Sequence, residues 1–78
     1  MFTLQGLRMK TDAMMEEIRR RAIDDTFEKF KVATRHYYET CEGGREVERL
    51  IHELEELGAN MEAVIDEDLS IRDEVFGL

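Results

Sequence analysis

The chain has 78 residues, of which 38% are charged and 42% hydrophobic, and its formal net charge is −8. A chain of this length forms one small domain. Because folding hides only about 60% of the surface that the unfolded chain exposes, a monomer is expected to be marginally stable. The single cysteine excludes an intramolecular disulfide. We therefore expect the chain to gain stability by association, in a reducing compartment.

Membrane insertion and secretion are disfavoured by the pattern of apolar residues. Apolar runs are only two or three residues long, whereas roughly 20 are needed to span a bilayer. The start of the chain, Met1-Phe2-Thr3-Leu4, lacks the basic segment and continuous apolar stretch of a signal peptide. We expect a soluble, cytoplasmic protein without a membrane partner.

A long first helix is predicted over residues 11–41. Proline is absent from the chain and no glycine occurs between Thr11 and Thr40, so nothing interrupts a helix there. Thr11 or Asp12 is the expected cap, and Gly43 can take the left-handed conformation that closes a helix. Residues 1–10 are open to two interpretations, a helical extension or an extended arm broken at Gly6.

A turn at 42–44 leads into a second helix, predicted over residues 45–66. Its apolar residues recur at intervals of three and four, which is typical of an amphipathic helix: Val47, Leu50, Ile51, Leu54, Leu57, Met61, Val64 and Ile65. Gly58 interrupts this pattern and Asn60 can cap a fresh helix, so a kink at 58–60 is the alternative. Residues 69–78 are expected to form a short helix or a tail.

An all-α antiparallel helical hairpin follows from a chain reversal at Gly43-Gly44. Residues facing each other then have numbers that add to about 87, which pairs Tyr37 with Leu50 and Phe30 with Leu57. The same register places the basic run 19–21 level with the acidic run 66–68. Both patterns agree, and this agreement supports the hairpin.

A second apolar face on the first helix is left uncovered by this hairpin. Met14, Ile18 and Ala22 point about 120° away from the predicted seam, and Met15 lies beside them. One partner helix cannot cover both faces. We therefore predict a homodimer in which two hairpins form a four-helix bundle through these residues.

The two halves of the chain differ sharply in charge. Residues 1–40 hold eight basic and seven acidic side chains, giving +1, whereas residues 41–78 hold three and twelve, giving −9. This argues against nucleic acid and anionic membranes as partners, and the cluster Arg19-Arg20-Arg21 is interpreted as pairing between helices. We predict a protein partner with a basic surface. The candidate residues are Glu48, Glu55, Glu56, Glu62 and Asp66.

Candidate chemistry is confined to the loop end of the hairpin. His36 with Glu39, and His52 with Glu55, have helical spacing, and the predicted register puts both pairs at one level. Imidazole and carboxylate suit zinc, but two surface histidines among glutamates explain the pattern better, so we predict neither a metal nor a cofactor. Cys41 with His36 offers a nucleophile and a base, but the sequence indicates no orienting third group and no enclosing pocket. We therefore expect no enzyme.

Three functions are compatible with this reading. The first is a non-enzymatic interaction module, such as an adaptor or a small inhibitor of the kind that phages encode, acting through the acidic second helix. The second is a structural or assembly subunit acting through the apolar dimer face. The third is a metal-binding hairpin.

Overall fold

Three helices make up the computed structural model, which describes residues 4–77 and the side chains of residues 12–77. They are α1, Leu4–Thr40; α2, Gly44–Glu56; and α3, Met61–Phe76. No strand occurs within the described range, so the all-α prediction is confirmed. Residues 1–3, the start of the predicted arm, and residue 78, the end of the predicted tail, lie outside the described residues.

α1 begins at Leu4, earlier than the predicted start at residue 11. Thr11 and Asp12 therefore lie inside the helix and do not cap it. Between the two interpretations of residues 1–10, the helical extension is confirmed for the described residues 4–10. Gly6 did not stop the helix because a glycine in a helix interior costs only about 1 kcal/mol.

The turn between α1 and α2 uses two residues in the left-handed conformation, Cys41 with φ 62° and Gly43 with φ 84°. The Cys41 amide donates to the Tyr37 carbonyl over 2.7 Å, and the Thr40 hydroxyl donates to the His36 carbonyl over 2.8 Å. These bonds end α1 at Thr40. The prediction that Gly43 closes the first helix was wrong, because Cys41 takes that position and Gly43 stands immediately before α2.

The predicted second helix over 45–66 is divided at residues 57–60. The Ala59 amide reaches back to the Leu54 carbonyl over 2.9 Å, Gly58 has φ 82°, and the Asn60 side chain accepts a 3.1 Å bond from the Glu62 amide. A left-handed glycine after a helix and an asparagine before the next one are ordinary stop and start signals. Residues 61–66 therefore begin α3, and most of the segment predicted as a separate short helix or tail continues it to Phe76.

α2 runs antiparallel to α1, and α3 returns in the direction of α1. A Cβ at Gly44 would lie 3.2 Å from the Tyr37 ring, and one at Gly58 would lie 3.8 Å from the Arg19 guanidinium. The predicted register, which paired Tyr37 with Leu50, was therefore wrong. The chain also reverses a second time after Gly58, so no single register describes the residues that follow.

The core lies where the three helices meet. Phe30, Leu50, Leu54 and Val64 form one cluster in which no side chain is more than 3% exposed. Each helix contributes to it, because their apolar residues recur at helical spacing on one side. Burial of this cluster is the main source of stability, at about 1.5–3 kcal/mol for each large apolar side chain.

The first part of α1 extends past the other two helices. Residues 12–21 are all exposed, and the turn that ends α2 lies beside Arg19. At 1.5 Å per residue, residues 4–18 add roughly 20 Å to the molecule, whose longest dimension is 61 Å. We call residues 4–18 the projecting part of α1.

Candidate interaction surfaces

The acidic side chains predicted to bind a partner are distributed over two helices. Glu48, Glu55 and Glu56 are exposed on α2, whereas Glu62 and Asp66 are exposed on α3. On α2 the three glutamates point away from the buried Leu50 and Leu54, because positions seven or eight apart share one side of a helix. This division was predicted only as the alternative, a kink at 58–60 with Asn60 capping a fresh helix, since the apolar pattern runs through the break at 57–60.

Three other carboxylates of α2 and α3 form ion pairs within the molecule. Arg49 binds Glu46 at 2.5 Å and Glu53 at 2.6 Å, and the hydrogen bond from Arg49 lowers the pKa of Glu46. On α3, Glu74 pairs with Arg35 of α1.

The five predicted carboxylates differ from these. Among the described residues they form no ion pair, and neither does Asp73, which is also exposed. We call the six the unpaired acidic set: Glu48, Glu55, Glu56, Glu62, Asp66 and Asp73.

Tyr38 connects α1 with α3 through two contacts. Its hydroxyl donates a 2.6 Å hydrogen bond to Asp68, and its ring meets the Phe76 ring edge-on with 5.8 Å between centroids. The hydrogen bond to Asp68, with partial burial, raises the pKa of Tyr38 to about 12. With the Arg35–Glu74 pair, these contacts hold α3 at a defined position along α1.

The arginine cluster 19–21 does not pair with α3. Arg19 binds Glu16 at 2.8 Å, Arg20 binds Glu17 at 2.5 Å, and Arg21 lies 3.5 Å from Glu17, all on α1. The predicted pairing with Asp66, Glu67 and Asp68 was therefore wrong, because the second reversal at 57–60 carries those residues toward the other end of α1. Exposed pairs of this type contribute only about 0.3–0.5 kcal/mol each.

The predicted oligomer face lies largely on the projecting part of α1. Met14, Met15 and Ile18 are 65%, 64% and 65% exposed, and Ala22, nearer the core, is half-buried. A group of large apolar side chains on an exposed segment of a helix is a candidate surface for association.

The candidate metal ligands are not brought together. The ring of His36 lies beside Gly43, where a Cβ would be 3.7 Å away, whereas His52 is further along α2, roughly 12 Å from its start. Glu39 follows His36 on α1, and Glu55 follows His52 on α2. No three His, Cys, Asp or Glu side chains in the described part of the chain are grouped closely enough to hold a metal ion.

A shallow groove runs between α1 and the start of α2, with a volume of about 570 Å³. Val32, Ala33 and His36 line it from α1, and Gly43 and Glu46 line it from the turn and α2. Cys41, in the turn between α1 and α2, is exposed and forms no disulfide. The groove holds no grouping of nucleophile, base and orienting residue.

Apolar residues on the outer side of α3 were not singled out from the sequence as a surface. Ile65, Leu69 and Phe76 are 56%, 40% and 57% exposed. Ile65 was predicted as an apolar residue of the second helix, whereas Leu69 and Phe76 fell in the segment predicted as a short helix or a tail. Their separation by four and seven residues was the available signal, and it is meaningful only once 61–76 is known to be one helix.

The comparisons with known proteins add no family. No protein-family model matches the chain, and no curated protein or solved structure shows significant similarity to it. Among the described residues, no helix combines the length and apolar character that crossing a membrane requires.

Proposed function

We propose that the protein is a non-enzymatic interaction module, an adaptor or a small inhibitor, that binds a basic protein surface through the unpaired acidic set. The observation that supports this is the contrast between two groups of carboxylates. Those such as Glu46 and Glu74 are neutralised inside the molecule, whereas Glu48, Glu55 and Glu62 point to solvent without a pair among the described residues.

An excess of one sign of charge acts mainly on encounter and selectivity. Exposed single ion pairs add little affinity, but a concentrated negative surface raises the association rate with a basic partner and repels acidic ones. The net charge of −8 disfavours nucleic acid and anionic membranes for the same reason. We place this binding in the cytoplasm, where the exposed thiol of Cys41 stays reduced.

The test uses a short fluorescent oligolysine peptide as the basic probe. The triple variant Glu48→Lys/Glu55→Lys/Glu56→Lys changes the net charge from −8 to −2, since each replacement adds two charges. A control with the same charge change on α1 is Asp24→Lys/Asp25→Lys/Glu39→Lys, at exposed positions. Anisotropy titrations at low and physiological salt give the dissociation constants, and circular dichroism confirms that both variants remain helical.

We expect the α2 triple variant to weaken oligolysine binding at least about tenfold more than the α1 control. Added salt should also weaken binding to the wild type, because screening shortens the reach of surface charges. Equal losses in both triple variants would mean that only net charge matters, and would contradict a defined binding side.

Self-association is the second candidate function, supported by the exposure of Met14, Met15 and Ile18. In this proposal two chains form a homodimer, in which two of the three helices of each chain contribute to a four-helix bundle that makes the protein an assembly subunit. Glu16 and Glu17 precede Arg19 and Arg20 along α1. An antiparallel pairing of two copies therefore places acidic residues beside basic ones, whereas a parallel pairing places like charges together.

The mass in solution, measured by light scattering on a sizing column, tests this second candidate. A dimer is expected at low and high salt, and Met14→Asp/Ile18→Asp should convert it to a monomer, because two carboxylates would be buried without partners. Val32→Asp, at an equally exposed apolar site on the same helix, is the control and should leave the mass unchanged. A wild-type monomer would rule out the assembly subunit.

A further inference from the structure

The outer side of α3 carries an apolar stripe made of Ile65, Leu69 and Phe76, which we call the α3 stripe. Positions separated by four and seven residues share one side of a helix, and these three side chains are 40–57% exposed. The stripe is about 16 Å long, or three helical turns. That is the length over which a partner helix places three or four apolar side chains on one face.

Carboxylates lie along the stripe on α3 itself. Glu62, Asp66 and Asp73 all belong to the unpaired acidic set, and helix geometry places them next to the stripe, on the side facing away from the buried Val64. The stripe is therefore an apolar surface bordered by negative charge. Binding surfaces of proteins commonly combine an apolar centre with a polar rim.

The border opposite these residues is formed by α2. Glu46 lines the groove that α2 shares with α1, and Glu48 and Glu55 lie about 160–180° around the helix from Glu46. By the same geometry, Ile65 lies about 160° from Glu67, which lines the groove between α3 and α1. Glu48 and Glu55 therefore lie on the side of α2 that faces away from its groove with α1, and the stripe lies on the corresponding side of α3. Both sides border the groove between α2 and α3, which has carboxylates along each helix.

The stripe is held in a fixed position before any partner arrives. Val64 and Ile71 are each 3% exposed and fix the opposite side of α3 in the core. Asp68 accepts the hydrogen bond from Tyr38, and the Phe76 ring packs against the Tyr38 ring. Binding of a partner there costs little conformational entropy of this protein, because the surface is already formed.

We propose that the α3 stripe is the docking site for an amphipathic, basic helix of a different protein. Apolar side chains spaced three or four residues apart on that helix pack on Ile65, Leu69 and Phe76, and its lysines or arginines meet the carboxylates on either side. This proposal rests on the proposed function, whose binding side it assigns to the groove between α2 and α3. Charge complementarity selects the occupant, since five carboxylates border the stripe on its two sides, whereas helix geometry places one basic side chain of α3, Arg72, beside it.

A second copy of the chain fits the α3 stripe less well than a basic helix does. Symmetric pairing through the stripe would bring Glu62, Asp66 and Asp73 of both copies together, which costs free energy through repulsion of like charges. The projecting part of α1 and the arginines that follow it, residues 4–21, hold five basic and three acidic side chains, an excess of only two positive charges on a chain whose net charge is −8.

Two fluorescent peptides of equal composition test the docking site. The first is a short amidated peptide with leucines on one helical face and lysines on the other. The second is its scrambled form, in which the leucines share no face. The wild type should bind the amphipathic peptide at least about tenfold more tightly than the scrambled one. Equal affinities would overturn the proposal, because a purely acidic surface does not distinguish the two.

The variants Ile65→Gln/Leu69→Gln and Val32→Gln locate the site. The double variant should lose the preference for the amphipathic peptide while retaining wild-type binding of oligolysine. Val32→Gln, which removes an apolar residue 71% exposed on α1, should retain the preference. Circular dichroism and urea unfolding establish that each variant is folded. A preference that survives in the double variant would place the site elsewhere and contradict the proposal.

The two proposals fail in distinguishable ways. If oligolysine binds and depends on Glu48, Glu55 and Glu56 but the amphipathic peptide shows no preference, the acidic binding side stands and the α3 site is wrong. If no basic probe distinguishes the α2 triple variant from its α1 control, the proposed function itself is wrong. If Ile65→Gln/Leu69→Gln halves the mass in solution, the stripe is a contact between copies and the different partner is ruled out.

Discussion

Tyr38 shows how one side chain sets the position of a whole helix. This residue of α1 makes two contacts with α3. Its hydroxyl donates a 2.6 Å hydrogen bond to Asp68, and its ring packs against the ring of Phe76. The carboxylate acceptor makes the hydrogen bond stronger than a neutral one. The same contact makes the attachment of α3 depend on the protonation of a phenol.

Replacement of Tyr38 by phenylalanine should therefore change the pH dependence of stability. The pKa of Tyr38 is raised to about 12 in the folded protein, against about 10 in an unfolded chain. Its stabilising contribution is complete below about pH 10 and is lost as the pH rises through 12. At neutral pH, Tyr38→Phe should lower the free energy of unfolding by about 1 kcal/mol, and this difference should shrink between pH 10 and 12 in urea titrations. Tyr37→Phe is the control; a constant difference across this range would contradict the role of the hydrogen bond.

Thr34 carries a polar atom that the core leaves without a partner. The residue is 1% exposed, and its hydroxyl oxygen has no hydrogen-bond partner among the described residues. A buried hydroxyl without a partner costs free energy. Thr34→Val, which keeps the shape, should raise the free energy of unfolding by about 1 kcal/mol, measured by urea denaturation. A loss of stability would mean that the hydroxyl is bonded in solution.

At the scale of elements, the turn at 57–60 decides the architecture. The stop and start signals, Gly58 and Asn60, were visible in the sequence, and so was the alternative of a fresh helix. They did not settle the matter because Leu54, Leu57, Met61 and Val64 keep helical spacing across the break. Periodicity identifies helices but not the direction of the chain after a turn. The direction of α3 and its position along α1 could therefore not be predicted and are known only from the structure.

Substitution of Gly58 tests whether the turn requires the left-handed conformation at this position. With φ at 82°, an alanine there adopts a conformation that costs about 1–2 kcal/mol, so Gly58→Ala should lower the midpoint of urea unfolding. Gly58→Asn should cost less, because asparagine tolerates the left-handed region. Equal stability of Gly58→Ala and the wild type would show that the turn has another conformation in solution.

At the scale of the whole molecule, α1 consists of a packed part and an exposed part. Core residues such as Phe30 hold its second half, whereas residues 12–21 are exposed throughout. In the monomer, amides in the projecting part should therefore exchange with solvent at least about a hundredfold faster than those around Phe30, because a short isolated helix is marginal in water. Hydrogen exchange followed by mass spectrometry measures this. Equal protection along α1 would show that the projecting part is covered.

The interaction surfaces were partly predictable. The apolar face of Met14, Met15 and Ile18 followed from helix geometry, because α1 is uninterrupted and direction around a helix can be counted from the sequence. The α3 stripe did not follow, because Ile65 and Leu69 belong to a surface only if the chain reverses after Gly58. A surface on one helix can be predicted from residue spacing. A surface bordered by two helices can be predicted only when the arrangement of the helices is known.

The single thiol at the turn allows the relative orientation of two paired copies to be measured. Cys41 is exposed, and it is the only cysteine of the chain, so a spin label attaches there and nowhere else. If two copies pair antiparallel about Ile18, the labels sit at opposite ends, roughly 70 Å apart, whereas parallel pairing brings them within about two helix diameters. A single distance measured between two labels therefore reports the orientation of the pair without any further engineering.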